Sequence, residues 1–243
     1  MWRQVMRAAK RPAGHRLPLV RQMPCMKANP LRLSHVRLFS SNSPDESTRP
    51  STFQKALDDK DRFIAWDTAD VFSPDMFAVK KMMLFAMLHQ AFPEKAAFDI
   101  PDFLSGAKDA LDLVLRTVYS PAFLAAVVDP SIENDEIQLL REIMTSDCLE
   151  MLVQGFKVHH DNGCTAFDLS KLEINGAYLD NVKIAEDLSS ILLYVKFDTA
   201  EHVTVTGTKD GAVISESSVR EAESNWIFES PVPENLSWTI VRM

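Results

Sequence analysis

Glycine is scarce in this chain, at seven among 243 residues, and no G-x-G-x-x-G or G-x-x-x-x-G-K can be read in it. Without such a loop there is no glycine-rich cradle of backbone amides for a nucleotide phosphate. G-x-S-x-G, H-E-x-x-H and any Ser/His/Asp signature are also missing, so no motif for nucleophilic or zinc-assisted hydrolysis is present. Cysteine is rarer still. Cys25, Cys148 and Cys164 are the three, and the last two stand sixteen apart with no Cys-x-x-Cys, which supports neither a disulfide framework nor a zinc site. Long apolar runs are absent as well. Met82–Leu88 and Ala122–Val128 reach seven residues each, against the roughly 18–20 that a membrane span requires.

Acid is absent from one end. Residues 1–43 carry nine bases (Arg3, Arg7, Lys10, Arg11, Arg16, Arg21, Lys27, Arg32 and Arg37) and no Asp or Glu before Asp45. The rest holds 34 acids against 17 bases, a net charge near −17 hidden behind the overall −8. A basic, acid-free start interspersed with apolar and hydroxyl residues has the character of a mitochondrial transit peptide. The membrane potential draws such charge inward at about 2.3 kcal/mol per charge per 100 mV. Pro12, Pro18, Pro24 and Pro30 deny it the apolar core of a secretory signal. Arg37-Leu38-Phe39-Ser40 resembles a matrix processing site, so residues 1–39 are expected to be removed, with Ser40–Pro44 an accessible linker. A basic arm for nucleic acid is the alternative. The acidic remainder repels phosphate, and direct nucleic-acid binding is not expected.

Helical periodicity fills the middle of the chain. One helix is expected near Phe53–Trp66, and a second opening at Ser73-Pro74-Asp75 and running through Met76–Phe92. Its Met82–Leu88 stretch is apolar nearly all round, so core or a partner must cover it. A third has Asp99 as cap, Pro101 in its first turn, and Phe103, Ala107, Ala110, Leu111, Val114 and Val118 at helical spacing, with Lys108, Asp109, Asp112 and Arg116 opposite. Ser120-Pro121 starts a short helix that Asp129-Pro130 stops. A last helical stretch runs from Asn134 to about Lys157, with Ile137, Leu140, Met144, Met151 and Leu152 on one side, and Thr145-Ser146-Asp147 able to break and recap it.

After the Asp161-Asn162-Gly163 turn the period changes. Strands are expected near Leu172–Ile184, Ile191–Phe197 with Val203–Thr206, Glu223–Glu229 and Ser237–Met243. Helices followed by antiparallel strands make the fold α+β. His159-His160-Asp161 with Cys164 are metal-capable, but three adjacent side chains cannot aim at one ion, and a solvated helix end explains them. Lys80 and Lys81 alone flank the Met-rich stretch, which is little for a membrane-adhering helix. Phe228 and Trp238 lie in alternating strands and are expected in the core.

Two segments carry a resemblance. Asn225-Trp226-Ile227-Phe228-Glu229 followed by Ser237-Trp238-Thr239-Ile240-Val241-Arg242 resembles the closing hairpin of the Tim-forty-four-like domain family. Phe98-Asp99-Ile100-Pro101-Asp102-Phe103-Leu104-Ser105-Gly106-Ala107-Lys108 is similar to that domain's long first helix. The resemblance covers residues 96–243, leaving 40–95 as linker and N-terminal helices. Phe103 to Gly106 and Trp238 to Arg242 are most similar to the branch that binds the m-AAA protease. Such membership implies a cone-shaped fold like that of nuclear transport factor two, with helices in the concave face of a twisted antiparallel sheet. It also implies a non-catalytic matrix adaptor or chaperone at the inner membrane, with the m-AAA protease, imported precursor proteins or the mitoribosome as partners, and calcium uniporter assembly among its tasks. No catalytic, metal or cofactor residue carries over, and no cofactor is expected. The alternatives are a mitoribosome-associated subunit or membrane receptor of the same fold, or an enzyme with a buried acid inside the cone.

Overall fold

The computed structural model describes residues 59–92, 98–132, 134–187, 189–209, 211–232 and 236–243. Among them six helices precede four strands. The helices are α1 Lys60–Thr68, α2 Ala78–Ala91, α3 Ile100–Val118, α4 Pro121–Val128, α5 Asp135–Ile143 and α6 Ser146–Asp161. The strands, β1 Cys164–Ile184, β2 Ser190–Lys209, β3 Ala212–Pro231 and β4 Thr239–Arg242, form one antiparallel sheet in the order β1-β2-β3-β4. The fold is α+β.

Side-chain caps explain the starts of the last three helices. The Ser120, Asn134 and Thr145 side chains accept from the amides of Phe123, Ile137 and Cys148, satisfying donors that the first turns of α4, α5 and α6 leave free. Thr145 thereby splits the last helical stretch in two, and its own amide donates to the Ile240 carbonyl of β4 at 2.9 Å. Asp99 stands at the cap of α3 but makes no cap bond. Its Oδ1 accepts from Trp66 Nε1 at 3.2 Å instead.

The start of α2 is a correction. Ser73 Oγ bonds the Asp75 carboxylate, the Met76 amide closes a turn on the Ser73 carbonyl, and Phe77 is extended, so the helix begins at Ala78. The turn lets Val71 and Phe72 lie along the sheet, where the Leu179 amide donates to the Val71 carbonyl at 2.7 Å. Met151 is also corrected: it is exposed on α6, while Ile137, Leu140, Met144 and Leu152 are buried. The part of the expected Phe53–Trp66 helix before residue 59 lies outside the described residues, as do residues 1–44.

Most strand bounds shift too, although β1 ends at Ile184 as expected. β1 starts eight residues earlier than expected, β2 is continuous, β3 starts at Ala212, and β4 is only four residues. Along β2 the odd positions Ile191, Leu193, Val195, Phe197 and Val203 are buried and the even positions Leu192, Tyr194, Lys196, Asp198 and His202 are half-exposed, so the sheet has one core face. Register shifts at four places in β1 bend that strand. The helices cover the core face, through Leu84, Phe85 and Leu88 of α2, Leu111, Val114 and Leu115 of α3, and Phe123, Leu140, Leu152 and Phe156 from α4 to α6. Gly163 connects the layers. With φ of 91° it needs the left-handed region, and a Cβ there would meet the Thr208 carbonyl at 2.2 Å.

Candidate functional site: an apolar groove with an acidic rim

The first turns of α3 and the β3–β4 end of the sheet enclose a groove of about 700 Å³. Its apolar wall is aromatic: Phe103 lies 4.6 Å from Trp238 and 5.5 Å edge-on from Phe228, and Phe98 lies 5.7 Å from Trp238, between ring centroids. Ile143 and Ile240 close the far side, where β4 is clasped by Met144 and Thr145. Asp99 and Asp102 stand on the lining at the α3 end. The volume lies within the usual range for ligand-sized clefts.

The floor is shaped by small residues. Phe103, Gly106, Ala107 and Ala110 recur at i, i+3, i+4 and i+7, one face of α3. A Cβ added at Gly106 would meet nothing within 4 Å. A mid-helix glycine costs roughly 0.5–1 kcal/mol against alanine, and no packing contact demands it here. Its effect is to leave the groove open.

The two sequence segments that carried the family resemblance are the two walls of this groove. Phe98, Phe103 and Gly106 come from one, and Phe228, Trp238 and Ile240 from the other. Phe228 is buried as expected. Trp238 is only half-buried, because one side packs on Phe98 and Phe103 while the other borders the open groove; the expectation that it is a core residue is corrected to that extent. The groove itself was not legible, since periodicity does not tell a packed stripe from a hollow one.

A buried acid stands elsewhere on the core face. Glu201 of β2 is 2% exposed and lies opposite Arg220 of β3 in the ladder. Tyr119, at the C-terminal end of α3, donates its hydroxyl to Glu201 Oε2 at 3.1 Å, while Oε1 is buried with no hydrogen-bond partner. Burial pushes the Glu201 carboxyl above the usual carboxylate range, against the pull of Tyr119 and Arg220. Burial, with Glu201 second, raises the Tyr119 hydroxyl far above its ordinary value. Burial also lowers His159, with Arg220 adding to the effect.

The metal-capable residues do not assemble. His159 is turned edge-on to Phe167, His160 faces Asp161 at 3.8 Å, and no group of three His, Cys, Asp or Glu among the described residues is placed to hold an ion. On α2, Leu84, Phe85 and Leu88 are core, whereas Phe77, Val79 and Met83 are exposed. Lys80 and Lys81 beside them are paired with Asp180 at 3.0 Å and Asp67 at 2.7 Å, so neither is a spare cation for an anionic surface. Among the described residues no single helix is long and apolar enough to cross a membrane; α3 with α4 meets that composition only as a pair bent by 61°.

No protein-family model and no curated protein matches the chain. Among solved structures it is similar to the intermembrane-space region of the chloroplast protein ARC6, at 13% identity and a TM-score of 0.32, over 56% of this chain and 92% of that one.

Proposed function

We propose that the chain is a non-catalytic adaptor or chaperone of the mitochondrial matrix, acting at the inner face of the inner membrane by holding a segment of another protein in the α3–β4 groove. The observation that carries this reading is the groove itself, an aromatic trough with carboxylates on its lining and a glycine where a side chain would fill it. Its chemistry suits an amphipathic helix whose apolar face enters the trough and whose basic flank meets Asp99 and Asp102. Imported inner-membrane precursors supply such segments, and the m-AAA protease is the second partner of this class. The acidic body, near −17 after Asp45, supports basic protein partners over nucleic acid.

A second reading has one observation of its own. Glu201 is a buried acid on the core face with a neighbouring phenol and guanidinium, the feature that an enzyme built inside the cone would need. No catalytic motif in the sequence accompanies it, so the adaptor is the reading preferred.

Gly106→Leu tests it. The leucine projects into open groove, so the fold is expected to survive, with an unchanged circular dichroism spectrum. Affinity for a fluorescent Arg- and Leu-rich amphipathic peptide should fall about tenfold or more, near 1.4 kcal/mol. Capture of precursors or m-AAA subunits from mitochondria should fall with it. Undiminished binding by Gly106→Leu sinks the groove; turnover of a small substrate lost with Glu201→Gln favours the enzyme.

A further inference from the structure

The two edges of the sheet are built differently. β1 is interrupted by four register shifts, carries Lys171 and Lys183, and is met by Val71–Phe72 at Leu179. Bulges, lysines and cover are the usual devices that keep an edge from pairing with another chain. β3 has none of them over most of its length. It pairs with β2 through twenty consecutive positions without a shift, while β4 covers only Ile227–Glu229. From Ala212 to Trp226 there is no proline and no lysine, and no other strand among the described residues pairs with this edge.

The hydrogen-bonding phase of that edge is fixed. The Val232 amide bonds back to the Ser189 carbonyl, so even-numbered residues of β3 face β2 and odd-numbered ones turn their amides and carbonyls outward. About seven residues between Ala212 and Asn225 thus present an open ladder. Val213, Ile214 and Val219 are exposed along the same stretch, at 84%, 42% and 60%.

We infer that the occupant of this edge is a second copy of the same edge, paired antiparallel about a two-fold axis at Ser218. Charge selects the register. Centred there, Arg220 faces Glu216 of the other copy, Glu221 faces Ser215, Glu223 faces Val213, and Ile214 meets Ala222 on the core-face side. Each charge then meets its opposite or a neutral residue, and each does so twice by symmetry. The outward Ser217 and Val219 exchange the central backbone bonds, and the two four-stranded sheets join into one of eight strands. This interface is separate from the groove and does not depend on what the groove binds.

The full chain is examined by sedimentation equilibrium over a wide concentration range, with dimer expected. Ser218→Cys places two thiols at a non-hydrogen-bonded pair, with Cα atoms roughly 4.5 Å apart, within disulfide reach. Mild oxidation should give a covalent dimer well above the wild-type background. Ser215→Cys puts its two copies roughly 20 Å apart and should not cross-link. Val219→Pro removes an outward amide while sparing the ladder to β2, so the circular dichroism spectrum should hold while the dimer dissociation constant rises about tenfold or more. A monomer at every concentration overturns the proposal. So does a dimer that Val219→Pro leaves intact, equal cross-linking at positions 218 and 215, or a monomer that pairs only with an added extended peptide.

Discussion

A carboxyl held above its ordinary range by burial has a defined consequence for stability. The folded state binds the Glu201 proton more tightly than the unfolded chain, whose carboxyl titrates near its reference value of about 4.3. Between those two values the folded state carries the extra proton, so this group makes stability fall as pH rises through them. Above the folded value its contribution is at its least favourable. His159 works in the opposite sense, because a base with a lowered pKa costs stability as pH falls. Glu201→Gln keeps an acceptor for Tyr119 and removes one titration, so urea unfolding from pH 4 to pH 8 should lose the acid-favoured part of its profile while the His159 part persists. Glu201→Ala instead removes the acceptor of the Tyr119 hydroxyl proton, leaving only Arg220 beside it, and should cost about 1–3 kcal/mol at neutral pH. Identical pH profiles for wild type and Glu201→Gln would show that the carboxyl titrates as an exposed one does.

At the scale of the element, one charged side chain links α1 to the entry of α3. Arg62 is buried, donates to the carbonyls of Phe92 at 3.2 Å and Phe98 at 2.8 Å, and lies 4.8 Å over the Trp66 ring. Burial lowers its pKa while Asp59 and Asp99 hold it up. Hydrogen bonds from a charged group are worth about 1.5–3 kcal/mol each, and methionine supplies neither. Arg62→Met should therefore destabilise by about 3 kcal/mol or more, read as a fall in melting temperature of about 2–4 °C per kcal/mol for a unit of this size. Arg62→Lys should recover only part, because an ammonium does not reproduce the planar fork. A melting temperature unchanged by Arg62→Met would remove Arg62 from the clasp. Nothing in the sequence marks this residue, since it sits in a charged stretch with no apolar period to flag it. The helices from α3 to α6 were legible from different signals: Pro101 and Pro121 in the first turns of α3 and α4, capping residues at Ser120, Asn134 and Thr145, and apolar stripes on α3 and α5. The outer halves of β1 and β3 were not. Ala212–Ala222 is rich in Ser and Glu with most of its residues exposed, so no alternation betrays the strand. The α2 start failed differently: Ser73-Pro74-Asp75 has the composition of a cap, but its hydroxyl and carboxylate pair with each other.

Across the whole molecule the charge divides in a way that the folded unit alone does not require. The described residues from 59 onward build a shared core, with Trp66 and Phe85 of the first two helices packed into the same cluster as Trp226 and Phe228. Nine bases without an acid precede Asp45, in a chain whose remainder carries the opposite charge. On the function proposed above, import would supply a role for them: the potential would pull the basic segment through, and Arg37-Leu38-Phe39-Ser40 would offer the cut. N-terminal sequencing of the protein recovered from mitochondria is expected to begin at Ser40 or within a residue or two. Removal of Met1–Phe39 takes all nine bases and moves the net charge from −8 to near −17, so the mature form should also focus at a lower pH than the full chain. Electrostatic contact between that acidic body and basic partners is screened over about 8 Å at physiological salt. Moderate salt or carbonate should accordingly release the mature protein from inner membranes, leaving the apolar part of groove binding intact. A mature protein that retains Met1, or one that stays on anionic liposomes in high salt without any partner, would rule out a matrix adaptor held by proteins.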